Sequence, residues 1–393
     1  MGLIPNEKSE RSSYVHFDFR RTQEKMLRKD LENKLRGAIW GFFAGDALAS
    51  PTHWFYGGQQ QVIQEYGQPI NDYTKPNQQL RGSILNKSDP NGGGRIKYNS
   101  KNSDISIIGD VINHGKLSYW SPSKSYHYHA TLQQGEITLE ASLARVLMKS
   151  IVETNGEFQP DNFRDAYMRF MQSPNSHNDT YASTCHRMFF ANLILQKLSP
   201  ENCPDNDSHN VDAIDGLVLP TIVALAGLGK EKSKAAKSSA ACAAVIRKSD
   251  ILESCAAKWS RVVLGAFEDE AGFSKCLSGF SKETIKRKPN PNASDASGMS
   301  ACYLSSSLPG LIDQIARHSP DCSSSGEAVW RALLSNANIG GENVHRGSIL
   351  GAVLGGRAGF DALPRKLVDG LYGKTELEQE IEAFLNAVLP KLD

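Results

Sequence analysis

Apolar residues recur three and four positions apart along most of this chain, the spacing of amphipathic α-helices. In LENKLRGAIWGFFAGDALA, Leu35, Ile39, Phe42 and Phe43 fall on one stripe. Asp46 lies three and four residues beyond the two Phe, on the same apolar face. GEITLEASLARVLMKSIVE places Leu139, Leu143, Val146, Leu147 and Ile151 together. HNDTYASTCHRMFFANLILQ aligns Tyr181, Cys185, Met188, Phe189 and Asn192, with Asn178 or Asp179 as a natural N-cap. VDAIDGLVLPTIVALAGLG, AACAAVIRKSDILESCAAKWSRVVLGAF and SSLPGLIDQIARH continue the pattern, and Pro220 and Pro309 sit where they start or kink helices. The last core helix, GSILGAVLGGRAGF, is dense in small residues that let helices approach closely. No alternating strand pattern and no fixed-period repeat competes with this reading. The prediction is an all-α fold, at least ~60% helical against a usual third.

Two stretches break the pattern. Residues 1–33 are polar and charged and read as an N-terminal extension or short peripheral helix, leaving 34–393 as a single domain. Residues 51–133 are rich in Gly, Asn, Pro, Ser and aromatic residues. Within them NKSDPNGGGRIKYNS is a turn or mobile loop by composition. An irregular stretch of this length inside a compact domain is uncommon and often functional, so short helices are expected in it.

Composition narrows the class. Hydrophobic residues make up 40% and charged residues 22%, as in ordinary globular proteins. Lys plus Arg is 44 against 43 for Asp plus Glu, so nothing points to nucleic acid or an anionic membrane. Seven cysteines, with no CxxC spacing, signal neither a disulfide framework nor a structural zinc site, and fit a reducing, cytoplasmic setting. No signal-peptide core, myristoylation pattern or run of ~18 apolar residues occurs.

Candidate chemistry clusters in four segments, GDALASPTHW, GEIT, HNDTYASTCHR and NIGGENVHRG. Asp46 on a buried face needs partners, either in a site or by capping a neighbouring segment. Glu136 and Glu342 read as helix-opening acids, favoured there by the helix dipole whether or not they act on a ligand. Gly340 and Gly341 would let backbone approach a ligand closely. His345 and Arg346, three and four residues past Glu342, would join it in an acid–base and anion-binding patch or a surface ion-pair cluster. Asp179 and His186, seven residues apart, would share a helix face; the alternative is an N-cap and a solvated face. His127 and His129 alternate with Tyr126 and Tyr128, and either line a pocket or sit in the loop. There is no phosphate-cradling GxxxxGK[ST], no GxSxG elbow and no HExxH.

The order of these segments resembles the ADP-ribosylglycohydrolase family. LRGAIWGFFAGDALASP is similar to that family's opening helix with its G-D-A-L-G-A-P pattern. GEITLEASLARVLMKSI is similar to its T-D-D-T segment and following helix. The stretch from SSLPGLIDQIARH through NIGGENVHRGSILGAVLGGRAGFDALP is similar to its closing half, with G-G-D-T-D-T before a small-residue helix. The resemblance runs from about residue 34 to 375. It implies an all-α helical bundle whose cleft holds two magnesium ions and hydrolyses the bond at the anomeric carbon of ADP-ribose. The metal ligands would come from the T-D-D and D-x-D-T segments, and a Glu after the first motif would take part in acid–base work.

This chain departs from the family at each of those places. It carries Thr52–His53 where the family has that Glu, Gly135–Glu136–Ile137–Thr138 for T-D-D-T, and Gly340–Gly341–Glu342–Asn343–Val344–His345 for G-G-D-T-D-T. Magnesium favours several oxygen ligands in octahedral array, so no metal or other cofactor is expected in the usual manner. The expected activity is hydrolysis of an N- or O-glycosidic bond of a ribosyl or related small molecule without the two-magnesium mechanism. Glu136, Glu342 and His53 are the expected catalytic groups, since glycosides yield to paired carboxyls and histidine titrates near neutrality. Asp46, Asn343, His345, Arg346, Asp179 and His186 are the expected substrate-binding groups. The expected partner is a small molecule, with neither nucleic acid nor membrane. The alternative is a crystallin-like or ligand-binding pseudoenzyme.

Overall fold

In the computed structural model, residues 8–92, 104–204, 211–296, 302–322 and 324–389 are described, with side chains from residue 26 onward. The chain is 64% helical, and among the described residues extended backbone pairs only in isolated bridges such as Gln79 with Tyr126. The helices run α1 Lys8–Ala49, α2 Gly58–Tyr66, α3 Leu139–Glu153, α4 Pro160–Gln172, α5 Thr184–Ile194, α6 Val218–Ala226, α7 Lys232–Ala244, α8 Asp250–Gly265, α9 Glu270–Thr284, α10 Leu304–Cys322, α11 Gly326–Ile339, α12 Asn343–Ala358, α13 Arg365–Asp369 and α14 Lys374–Val388. None of them is long and apolar enough to cross a membrane among the described residues. All seven cysteines are free.

The centre of the fold is an antiparallel seam between α1 and α12. Gly37, Gly41 and Gly45 recur every fourth residue on α1 and face Gly355, Gly351 and Gly347 on α12. A Cβ on Gly41 would sit 2.2 Å from the carbonyl oxygen of Gly351, and one on Gly45 would sit 2.0 Å from that of Gly347. The small residues of the sequence are therefore there to bring two backbones into contact. Buried Trp40, Phe42 and Phe43 fill the space beside the seam.

Two features differ from the sequence reading. α1 is one unbroken helix from Lys8, so the helix read from Leu31 onward begins well before it. α3 begins at Leu139 with Thr138 as its N-cap, so Glu136 stands outside the helix it was expected to open. The physical reason is that distant carboxylates cap α3. Asp46 accepts from Thr138 N at 2.7 Å and Thr138 Oγ1 at 2.8 Å, and Asp179 accepts from Leu139 N at 2.9 Å.

The irregular stretch 51–133 holds α2, with 3-10 turns at Leu85–Lys87 and Leu117–Trp120. Residues 93–100 of the expected loop lie outside the described residues. The rest is pinned at helix ends. Trp120 Nε1 donates to Thr180 O at 3.1 Å, and the ring of His127 bonds through Nε2 to Pro51 O at 2.9 Å.

Candidate active site

Glu342 is the N-cap residue of α12. Its neighbours Gly340 and Gly341 adopt φ of +68° and +66°, a left-handed conformation that favours glycine. The pair does bring backbone close, but to the segment after α1. Trp54 N donates to Gly341 O at 2.8 Å and Gly341 N to Phe55 O at 3.1 Å. A Cβ on Gly340 would lie 2.2 Å from Phe55 O. This clamp sets His53 and Trp54 beside Glu342.

The resulting cluster is buried. His345 Nδ1 donates to Glu342 Oε1, and Trp54 Nε1 donates to Glu342 Oε2. His53 Nε2 lies 3.5 Å from Glu342 Oε1, in an orientation that makes no hydrogen bond. A chain of rings continues behind it. His53 Nδ1 is 2.7 Å from His129 Nε2, and His129 Nδ1 is 2.8 Å from Asp179 Oδ1. Burial pushes His53 down to about 4. Burial would also lower His345, but the Glu342 carboxylate overrides it and holds His345 up at about 9. In turn burial would raise Glu342, yet His345 keeps it well below the usual carboxylate range.

Glu342 and His345 of this cluster line a cavity of about 1020 Å³, together with Trp54, Tyr128, Tyr181 and Trp120. Trp54 stands edge-on to Tyr128 at 4.4 Å and to Tyr181 at 4.8 Å between ring centroids. Arg187 sits over the Trp120 ring at 4.9 Å and also lines the cavity, as do Asp215 and Cys185. Arg247 grips Asp215 through two bonds of 2.9 and 2.5 Å.

The structure brings His53, Glu342 and His345 together and places other candidates elsewhere. Glu136 does not share their cavity. It lines separate hollows with His177 and Asn178, and its carboxylate accepts from Gln133 N at 2.6 Å and Asn178 Nδ2 at 3.1 Å. The pairing of Glu136 with Glu342 therefore has no geometric basis. Asn343 and Arg346 turn into the protein. Asn343 Nδ2 donates to Thr52 Oγ1 at 2.7 Å, and Arg346 donates to Asn336 Oδ1 at 2.7 Å and to Gly340 O at 3.0 Å. Asp179 and His186 do not share a face, because Asp179 precedes α5 and caps α3. His186 instead bonds Glu140 Oε1 at 2.8 Å and the Tyr167 hydroxyl at 2.9 Å. Burial would raise Glu140, but His186 draws it down to about 2. Glu140 carried no sequence signal, and Trp54 and Tyr181, though inside two of the candidate segments, were not read as cavity-lining residues. The Tyr–His alternation at 126–129 did point to this region.

Asp46 is fully buried, and its oxygens are both taken by Thr138. Burial pushes it up to about 6. Its neutral form is thus favoured by folding. Its stabilising contribution is complete below the ordinary value of 3.8 and is lost as pH rises through about 6. Ionisation at neutral pH costs about 3 kcal/mol against acid conditions. We expect Asp46→Asn to remove that slope, so the stability of the variant relative to wild type should rise by about 2 kcal/mol between pH 4 and 7. Urea titrations across that range measure it, and a constant difference refutes it.

The donors present do not fit the two magnesium ions that the resemblance implies. Asp46 is consumed by its cap, Glu136 lies on another hollow, and the remaining cluster offers two nitrogens and one carboxylate.

The chain is thus an all-α protein in which a carboxylate and an imidazole line one cavity. The comparisons narrow this. The sequence profile of the ADP-ribosylglycohydrolase family matches residues 27–391, and the chain belongs to that family. Among curated proteins no significant match is found. A solved structure of an ADP-ribosylglycohydrolase-related protein complex is similar at 13% identity, with a TM-score of 0.53 over 92% of this chain and 99% of that one. Membership points to glycohydrolase-type chemistry on ADP-ribose-like compounds.

Proposed function

We propose that the protein hydrolyses an N- or O-glycosidic bond of a ribosyl compound held in the 1020 Å³ cavity. The observation that carries this reading is the placement of Glu342 and His345 at a cavity that Trp54, Trp120, Tyr128 and Tyr181 also line. Such rings stack on a base or sugar face, and they stabilise positive charge of the kind an oxocarbenium-like transition state develops. Glu342, fixed by Trp54 and His345, is the group positioned to help activate an attacking water. Its pairing is with imidazoles rather than a second carboxylate, which separates it from the two-carboxyl scheme. Arg187 supplies a cation for an anionic part of the substrate.

Metabolite profiling of cell extract incubated with the purified chain tests this. A ribosyl compound should be consumed with release of a free sugar. Glu342→Gln should slow its turnover at least about 100-fold, the usual scale for a proton-transfer group. Unchanged turnover in that variant refutes the role. The use of Asp46 for capping favours a second reading, a binder without turnover. That reading requires a ligand to be retained by the chain and returned unaltered.

A further inference from the structure

A chain of buried rings ends at His53. The Asp179 carboxylate accepts at 2.8 Å from His129 Nδ1. His129 Nε2 lies 2.7 Å from His53 Nδ1, so one proton is shared between the two rings. The far nitrogen of His53 is Nε2. That atom is buried, has no hydrogen-bond partner, and faces Glu342 Oε1 at 3.5 Å. The two atoms thus approach each other without a hydrogen bond. The separation is longer than an N–H···O bond. It matches two ligands of one cation: bonds of about 2.05 Å span 3.5 Å at an angle of about 117°, near tetrahedral.

We propose that His53 Nε2, Glu342 Oε1 and His345 Nδ1 hold a single divalent transition-metal ion of the zinc class. The three ligand atoms lie within 4.8 Å of one another. On binding, the proton that His345 Nδ1 now shares with Glu342 would be released to solvent, and the freed Nδ1 lone pair would turn to the ion, opening to about 3.3 Å from the carboxylate oxygen. The outer supports are in place. His53 is held by the His129–Asp179 relay and the free oxygen of Glu342 by Trp54, the arrangement that fixes ring orientation around a bound metal. Two imidazoles and one carboxylate suit zinc or cobalt and not magnesium. The fourth position faces the cavity that Glu342 and His345 line. This deepens the hydrolase reading, since a water there would be the one to activate, yet the site stands without it.

The test reads metal and not turnover, so failure of either idea leaves the other standing. The full chain is stripped with a chelator, incubated separately with zinc, cobalt and magnesium, desalted and analysed for metal. We expect about one zinc or cobalt per chain, no retained magnesium, and the intense visible absorption of low-coordinate cobalt. His53→Ala and Glu342→Gln should abolish retention. His129→Ala leaves the ligands and should weaken zinc binding roughly 10- to 100-fold. Absence of stoichiometric zinc or cobalt, or retention unchanged in His53→Ala, overturns the site and leaves an extra proton on the ring chain as the explanation. If His53→Ala fails to fold, ring-nitrogen NMR of the wild-type chain decides. Zinc must move the His53 and His345 signals, and unmoved signals overturn the proposal.

Discussion

Gly351→Ala is expected to cost more than about 3 kcal/mol, and Gly351→Val to prevent folding altogether. A Cβ at this position would meet the carbonyl oxygen of Gly41 at 2.0 Å and its carbon at 2.5 Å. Overpacking among side chains usually costs about 1–3 kcal/mol because rotamers can give way. Here the opposing atoms are main chain on a helix, so α1 and α12 must separate along the whole seam and unpack their neighbours. A domain has only about 5–15 kcal/mol in reserve. Gly279 provides the control. It lies inside α9, and a Cβ there meets nothing within 4 Å. Gly279→Ala should therefore be neutral or stabilise by up to about 1 kcal/mol through helix propensity. Urea unfolding followed by circular dichroism compares the two. A Gly351→Ala variant within 1 kcal/mol of wild type would refute the seam as a constraint.

The all-α fold was legible because its signals are local. Stripes at Leu35, Ile39, Phe42 and Phe43, or at Leu139, Leu143 and Leu147, need only the helical period to be read, and all these residues are buried. The small-residue run 347–356 announced close packing, though not its partner. The start of α3 was misread for a reason the sequence hides. Glu136 looked like a first-turn acid, but the capping carboxylates come from residues 46 and 179. Gly135 at φ +73° packs against Gly370, where a Cβ would be 2.0 Å from the carbonyl oxygen, and holds the segment off the helix.

The site was legible in part, and along the same divide. His53, Glu342 and His345 drew attention because they stand at positions where the family has other polar residues. Their mutual geometry depends on a backbone clamp between residues 54–55 and 341 that no local pattern encodes. His129 was visible only as one of two alternating histidines. Its role in the ring chain rests on Asp179, fifty residues away in sequence. Polar partners far apart in the chain leave no periodic trace, and that explains why Asn343, Arg346 and His186 read as ligand-facing while the fold uses them internally.

Arg247 and Asp215 are such a distant pair, and breaking it is expected to be costly. Both side chains are almost wholly buried, and the guanidinium engages both carboxylate oxygens. Asp215 lies in the turn before α6 and lines the cavity, whereas Arg247 follows α7, so the pair fastens the cavity wall to the helices behind it. Removing Arg247 leaves the largely buried Asp215 carboxylate without its cation. Arg247→Ala should therefore lose about 3–5 kcal/mol. The pair itself was desolvated to form, so its net worth is much smaller than that loss. A double variant, Arg247→Met with Asp215→Leu, removes both charges and keeps the volume, and it should recover most of the stability. Arg247→Lys should recover only part, because an ammonium cannot engage both oxygens as a planar fork does. If the double variant is no more stable than Arg247→Ala, the loss comes from packing around the Arg247 stem, and the stranded-charge account fails.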